Sequence, residues 1–232
     1  MKICLYFEAE RIISRSGIGR ALQHQKIALE SAGISYTLDP NDDYDLLHIN
    51  TVGPLSITTI AQARLRKKPI VFHAHSTEED FRNSFVFSNQ VAPLFKKHLV
   101  TMYSQANAII TPTPYAKKLL QNYGITLPIN CVSNGVNINR YTNDTDKIEA
   151  FRRYFSLEKE AKVVIGVGLY LKRKGLHDFL DVAAHFPEIT FIWFGHTPSI
   201  SIPNDLKIKI RDHSPNVILP GYVKGPIIEG AF

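Results

Sequence analysis

The sequence predicts an α/β chain of two doubly wound parallel-sheet domains, the second incomplete, and three observations carry that expectation. Short runs rich in Ile, Val, Phe and Tyr recur between longer stretches of helical period, the pattern of buried parallel strands joined by crossover helices. A polar interval at 143–160 begins with Asn143, Asp144, Thr145 and Asp146, passes through a helix-like run at 148–155, and ends with Glu158, Lys159 and Glu160; it reads as a linker. Residues 1–142 before it make a domain of ordinary size, whereas 161–232 after it hold three strand signals and no closing helix, too few for a complete second layer. The chain therefore reads as a C-terminally truncated piece of a two-domain protein.

In order, strands are expected at 3–7, 45–50, 69–75, 108–111, 130–132, 163–168, 189–195 and 216–219. Helices are expected at 19–32, 56–66, 91–105, 114–123, 174–186 and 206–211. In the third helix Val91, Leu94, Phe95, Leu99 and Met102 follow a helical stripe, which turns Lys96 and Lys97 outward. The fourth starts at Thr113-Pro114, where the hydroxyl caps free amides and proline takes the first helical position at no cost in hydrogen bonds.

With 44% hydrophobic and 21% charged residues over 232 positions, the chain has the composition of a soluble globular protein rather than a disordered or membrane-spanning one. Its formal charge of +6 suits an anionic ligand or lipid surface. With no clustered basic stripe or binding motif, nucleic acid is not an expected partner. Cys4 and Cys131 are too few for a disulfide scaffold, which favours a reducing cytoplasm. Glu8, Glu10 and Arg11 break the opening apolar run before it can serve as a signal peptide. Any membrane contact is expected to be peripheral.

Several short motifs could carry chemistry. Ser16-Gly17-Ile18-Gly19-Arg20 opens a helix, so its glycines and free amides suit either a ligand's close approach or a plain turn. His73 and His75 end a strand and share a face by its period of two. They could contact a substrate, form a hydrogen-bonded structural pair, or chelate a metal with Glu79 and Asp80. Lys172, Arg173 and Lys174 lie between a strand and a helix start, where three cations repel one another and oppose the helix dipole; they suit a diphosphate or form a solvated loop. Asn134-Gly135 marks a tight turn with positive φ. Phe81, Arg82, Phe85, Lys96 and Lys97 form either a lipid- or acceptor-facing surface or, for the aromatics, core.

Taken in order, these pieces resemble a retaining glycosyltransferase of family 4, with two facing Rossmann-like domains in the GT-B arrangement. The resemblance runs over all 232 residues and is most specific from Ala106 through Thr111-Pro112-Thr113-Pro114-Tyr115 to Lys118, then at Cys131-Val132-Ser133-Asn134-Gly135-Val136-Asn137 and Arg140-Tyr141. The stretch from Gly168 to Gly175 resembles the start of the donor domain, and Phe194-Gly195-His196-Thr197-Pro198 its glycine turn. The resemblance implies that Gly17 and Gly19 lie beside the donor's diphosphate and sugar. It implies that His75, followed four and five residues later by Glu79 and Asp80, contacts the donor sugar, with His73 the competing assignment. Lys174 is implied to neutralise the leaving diphosphate, and Lys172 and Gly195 to join the donor site. Leu169 stands where the family usually has arginine, so Arg173 or Lys172 is expected to supply the second charge.

The paired glutamates of the family's donor motif are not in this chain; Glu229 has no partner eight residues on before Phe232, and the fragment is expected to bind donor poorly. The opening Leu5-Tyr6-Phe7-Glu8-Ala9-Glu10 and Arg15 to Arg20 are similar to Gram-positive glycolipid synthases that extend monoglycosyl-diacylglycerol toward lipoteichoic-acid anchors. The resemblance implies hexose transfer from UDP-glucose or UDP-galactose to a glycolipid, without cofactor or essential metal, in the cytoplasm at the inner face of the plasma membrane. Cell-surface polysaccharide synthesis is the alternative acceptor pathway. A metal-dependent hydrolase centred on His73 and His75, or a non-catalytic membrane-associated binding module, are the alternatives of another class.

Overall fold

The computed structural model describes residues 1–9, 17–84 and 87–232, and the chain forms two compact units. The first contains Met1–Glu79 and Val91–Val136, the second Asp80–Gln90 and Asn137–Phe232. Through the first part of the chain run β1 (Lys2–Tyr6), α1 (Gly17–Ser31), β2 (Ser35–Thr37), β3 (Leu46–Ile49), α2 (Pro54–Leu65) and β4 (Ile70–His73). They are followed by α3 (Glu78–Phe81), α4 (Ser88–Tyr103), β5 (Ala108–Thr111), α5 (Pro114–Asn122) and β6 (Ile129–Cys131).

The six strands form one parallel sheet in the order β2-β1-β3-β4-β5-β6. The chain steps outward from β1 to β2, then returns across β1 to β3; this reversal opens a crevice at the carboxyl ends of β1 and β3, where open α/β sheets hold ligands. Helices cover the sheet, so its strands are apolar in runs, with Cys4, Leu5, Leu47, Ile49, Ile70, Phe72 and Ile109 buried. β2 lacks a sequence signal because Ser35-Tyr36-Thr37 is a short, partly exposed edge strand.

The helix starts follow local chemistry. Thr113 Oγ1 accepts the Ala116 N–H at 3.1 Å, and Pro114 opens α5. Gly135 has φ 74°, as the Asn-Gly turn requires. In α4 the buried stripe differs from the expected one: Ala92, Leu99, Met102 and Tyr103 face inward, whereas Val91 and Leu94 are 44% and 66% exposed. The small Ala92 takes the inward position and turns its bulkier neighbours out. Lys96, expected to face outward, is half-buried: its Nζ lies 3.4 Å from Glu78 Oε2 and 4.5 Å from the centre of the Tyr123 ring. Cys4 is buried and Cys131 exposed, both as free thiols.

The second unit holds α6 (Thr145–Tyr154), β7 (Val163–Val167), α7 (Leu176–His185), β8 (Thr190–Phe194), α8 (Asn204–Arg211), β9 (Val217–Gly221) and α9 (Pro226–Glu229). Its strands are parallel in the order β7-β8-β9. The interval read as a linker contains α6, whose Phe151 is buried against Ile192 and Phe194. The chain also has a short closing helix where none was expected: α9 is tied to this unit by Glu229, which accepts from Arg140 and pairs with Lys147 at 3.1 Å.

Gly195 is fixed by its surroundings. Its φ is 148°, a Cβ there would lie 1.8 Å from the Gly168 carbonyl oxygen, and its N–H donates to the Gly221 carbonyl at 2.8 Å. Gly195→Ala should therefore destabilise the second unit by about 2–4 kcal/mol through steric overlap and backbone strain. Chemical denaturation of the chain checks this, and an unchanged midpoint would refute it.

Candidate active site

At the carboxyl end of the first sheet, β3 and β4 pair with Ile49 beside Phe72. Both of those side chains are fully buried. By the strand period of two, His48 and Asn50 leave the sheet on the opposite face, as do His73 and His75. The expected shared face of the two histidines is thus formed, and it includes two residues that sequence reading missed. The same alternation in Leu47-His48-Ile49-Asn50 was the available signal.

The three imidazoles stack. His73 and His75 have ring centroids 4.2 Å apart with planes 7° from parallel, and His48 and His73 are 5.5 Å apart and 4° from parallel. Gln25 reaches in from α1, donating from Nε2 to Asn50 Oδ1 at 2.9 Å and to His73 Nδ1 at 3.0 Å. His48 Nε2 is 3.3 Å from His73 Nδ1, and His75 Nε2 is 3.0 Å from Asn50 Oδ1. Nearby, His24 Nδ1 meets the Asn134 carbonyl at 3.0 Å, holding the Asn-Gly turn to α1.

Burial keeps these rings neutral. It lowers His73 to about 4, with Asn134 beside the ring offsetting part of the effect. His75 is lowered to about 3 by burial and then by His73 and His48, and His48 to about 3 by burial and then by His73. Asn50 and His73 are only 3% and 4% exposed. Gln25 Oε1, Asn50 Nδ2, His73 Nε2 and Asn134 Oδ1 are four of the six buried side-chain polar atoms without a hydrogen bond among the described residues. Unpaired buried polar atoms are costly, so their concentration here marks a site built for something other than stability.

Parallel stacked rings carry their lone pairs in parallel planes, which do not converge on one ion. Among the described residues no group of three or more His, Cys, Asp and Glu is placed to hold a metal. Glu79, one of the two acidic residues considered as further ligands, instead accepts the Tyr123 hydroxyl. The segment after His75 is anchored by tyrosines: Tyr103 donates to the Ser76 carbonyl at 2.8 Å, and the Glu78 N–H donates to Tyr123 Oη at 2.8 Å.

The remaining expected residues fall in several places. Gly17 and Gly19 form the first turn of α1; Gly19 is buried, and a Cβ at Gly17 would meet nothing within 4 Å among the described residues. Phe81 and Arg82 are half-buried, Lys97 is exposed, and Phe85 lies outside the described residues, as do Arg15 and Ser16.

In the second unit Lys172–Lys174 is a single 3-10 turn, ended by Gly175 at φ 81°, and all three cations are exposed. Arg173 has partners: its Nε donates to Ser84 Oγ at 2.8 Å, and a terminal nitrogen lies 3.6 Å from Asp80 Oδ1. Gly195, expected at the donor site, is required by its contact with Gly168.

The sequence pattern of Glycosyltransferase Family 4 matches residues 15–140. The chain is 45% identical over its whole length to the processive diacylglycerol alpha-glucosyltransferase of Acholeplasma laidlawii, covering 69% of that protein. It is 24% identical over 179 residues to the alpha-galactosylglucosyldiacylglycerol synthase of Streptococcus pneumoniae, a match covering 76% of this chain and 45% of that one. Among solved structures, Anabaena HepE in complex with UDP and glucose superposes over the whole chain with a TM-score of 0.72 at 18% identity, this chain covering 71% of it. A sucrose-phosphate synthase from Thermosynechococcus elongatus matches 90% of the chain, and 51% of its own, with a TM-score of 0.61 at 14% identity. These structural likenesses establish the GT-B fold, and the family pattern with the 45% identity over the whole chain shows that the protein belongs to glycosyltransferase family 4.

Proposed function

We propose that the protein transfers a hexose from a nucleotide sugar, UDP-glucose or UDP-galactose, to a hydroxyl of a glycolipid such as monoglycosyl-diacylglycerol, with retention of anomeric configuration. The observation that carries this reading is the 45% identity over the full chain to a diacylglycerol glucosyltransferase. The chemistry of each unit supports it. The first offers a cradle of neutral imidazoles and amides, matched to the uncharged hydroxyls of a sugar, with His75 as the contact, Gly17 leaving room at the start of α1 and Gly19 beside it in the same turn. The second offers exposed Lys172 and Lys174, matched to a diphosphate; Arg173 would join them only on release from Asp80. Charge neutralisation of a leaving diphosphate by positioned cations is the main electrostatic contribution expected in such a transfer.

No helix among the described residues is long and apolar enough to cross a membrane. A peripheral position at the inner face of the plasma membrane, reached from the cytoplasm, fits the lipid acceptor. Exposed Val91 and Leu94 on α4, with exposed Lys97 one turn beyond Leu94, make an apolar and basic strip suited to an anionic lipid surface. Lys96 contributes less, because its ammonium is already engaged by Glu78 and Tyr123.

In the full-length protein, Lys174→Ala and His75→Ala should each lower kcat/KM for transfer from radiolabelled UDP-hexose to monoglycosyl-diacylglycerol by about 10²-fold. Near wild-type rates in both would remove the assignment. Leu94→Ser combined with Lys97→Glu should weaken sedimentation with phosphatidylglycerol vesicles while leaving the far-UV spectrum unchanged; equal binding would argue against this strip.

The histidine cluster also sets a pH dependence. In the folded chain the rings titrate far below the ordinary value of 6.5, so between these values the unfolded chain binds more protons. Stability is therefore full above about pH 6.5 and falls as the pH drops toward the folded values, by about 1.4 kcal/mol per pH unit for each ring kept neutral. Denaturation midpoints at pH 7 and pH 5 test this, with His48→Gln expected to flatten the dependence.

A further inference from the structure

We infer that Thr197 and Trp193 are positioning residues for the Lys172–Lys174 turn, holding its two lysines where one diphosphate meets both; this rests on the reading that the turn receives the donor's diphosphate. The need for such residues lies in the turn itself. It is closed by the Lys174 N–H, which donates to the Leu171 carbonyl, and by the Gly175 N–H, which donates to the Lys172 carbonyl, each at 3.0 Å. Short 3-10 segments have poor hydrogen-bond geometry, and three adjacent cations repel one another. The place of the turn is therefore set by its flanks.

Downstream, the fully buried Leu176 begins α7. Upstream lies the end of β7, where side chains from beyond β8 take over from backbone. The parallel ladder runs as far as the Gly168 N–H, which donates to the Phe194 carbonyl at 2.9 Å. Ladder bonds recur at every second residue, so the next donor is the Tyr170 N–H. By then Gly195, at φ 148°, has turned the chain after β8 aside, with its own N–H on the Gly221 carbonyl. The Tyr170 N–H donates instead to Thr197 Oγ1 at 2.8 Å, and both residues are buried. A buried N–H without a partner is costly, so the hydroxyl is needed there. Trp193 holds the preceding peptide group: its Nε1 donates to the Gly168 carbonyl at 2.9 Å, and its ring lies so close to β7 that a Cβ at Gly166 would be 2.2 Å from it.

The peptide groups on either side of Leu169 are thus both fixed by side chains from the β8 end of the sheet. Two bonded peptide planes define the direction in which the chain leaves β7, and the buried Tyr170 and Leu171 carry that direction into the turn. Lys172 and Lys174 are exposed, so burial of their own side chains does not place them. Two cations bind one diphosphate well only while the backbone between them is already held, because ordering it on binding would offset the attraction. Thr197 and Trp193 touch no ligand in this scheme and act only through the two lysines.

The test compares ligands with and without phosphate. In the full-length protein Thr197→Val removes the acceptor at nearly constant volume; it should weaken UDP, measured calorimetrically, by about tenfold while changing uridine by no more than about twofold. Thr197→Ser keeps the hydroxyl and should bind UDP as the wild type does. Trp193→Phe keeps an aromatic ring against Gly166 and removes the indole N–H, and it should show the selectivity of Thr197→Val. Hydrogen exchange read by mass spectrometry should quicken across residues 170–175 in Thr197→Val and not in Thr197→Ser. A loss shared equally by UDP and uridine would mark Thr197 as a general support of the unit and overturn the inference, as would unchanged UDP binding and exchange in Thr197→Val. Lys174→Ala separates this inference from the reading beneath it. If that variant binds UDP as the wild type does, the diphosphate lies elsewhere and both fall; if it weakens UDP alone while Thr197→Val does not, the diphosphate reading stands and the positioning role fails.

Discussion

The register between β3 and β4 is the constraint on which the first unit depends. Pairing Ile49 with Phe72 commits two fully buried side chains to one face of the sheet. The alternating positions His48, Asn50, His73 and His75 are then committed to the other, facing Gln25 on α1. A slip of one residue would exchange the faces, placing His48 and Asn50 (from β3) or His73 and His75 (from β4) in the apolar core and Ile49 or Phe72 among polar groups. Apolar burial on one side of the sheet thus specifies a polar arrangement on the other.

That arrangement opposes stability. Each imidazole is held in its neutral form by burial, and four polar atoms are without a hydrogen bond among the described residues. The neighbouring structure compensates by fixing the site's margins. Glu8 accepts from the Ser56 N–H and Oγ, both at 2.9 Å, fastening the carboxyl end of β1 to the start of α2. His98 meets the Val52 carbonyl at 2.6 Å, and Tyr103 and Tyr123 hold the segment after His75. These contacts surround the cluster with well-paired groups and leave its interior incompletely satisfied, a distribution expected where local stability yields to ligand recognition.

Much of this was legible in the sequence, and the losses have physical causes. The strands of the main sheet announce themselves because parallel strands buried on both faces are continuous apolar runs, whereas Ser35-Tyr36-Thr37 at the edge carries no such mark. The period of two put His73 and His75 together correctly. It said nothing of Gln25, because a side chain arriving from a helix depends on tertiary packing. On α4 the expected stripe holds at Phe95, Leu99 and Met102 and fails at Val91 and Leu94: periodicity gives a stripe's spacing, while the choice between Ala92 and Val91 depends on how closely the helix approaches its neighbours. Lys96 was misread for a related reason, since the Glu78 carboxylate and Tyr123 ring that draw it inward come from distant parts of the chain. Gly195 was noticed for its place in a motif, but the nearby Gly168 carbonyl explains why glycine is needed there.

Under the proposed function the two units would divide two kinds of recognition, and the reason is electrostatic. A cation beside the histidine stack would need either a buried counter-ion or still lower ring pKa values, both costly in an environment that already suppresses imidazolium. Phosphate binding needs the opposite: positive charge that remains ionised, at a turn where neither side chains nor backbone must be desolvated in advance. The Lys172–Lys174 turn, proposed for that role, keeps its cations exposed, and Gly175 in the left-handed region ends the turn before α7 begins. Mutual repulsion among three adjacent cations is eased by drawing Arg173 toward Asp80 and Ser84, which leaves the two lysines as the accessible charges. A nucleotide sugar combines a neutral polyol with an anionic diphosphate, so a protein that recognises both halves gains by building the neutral and cationic surfaces on separate sheets.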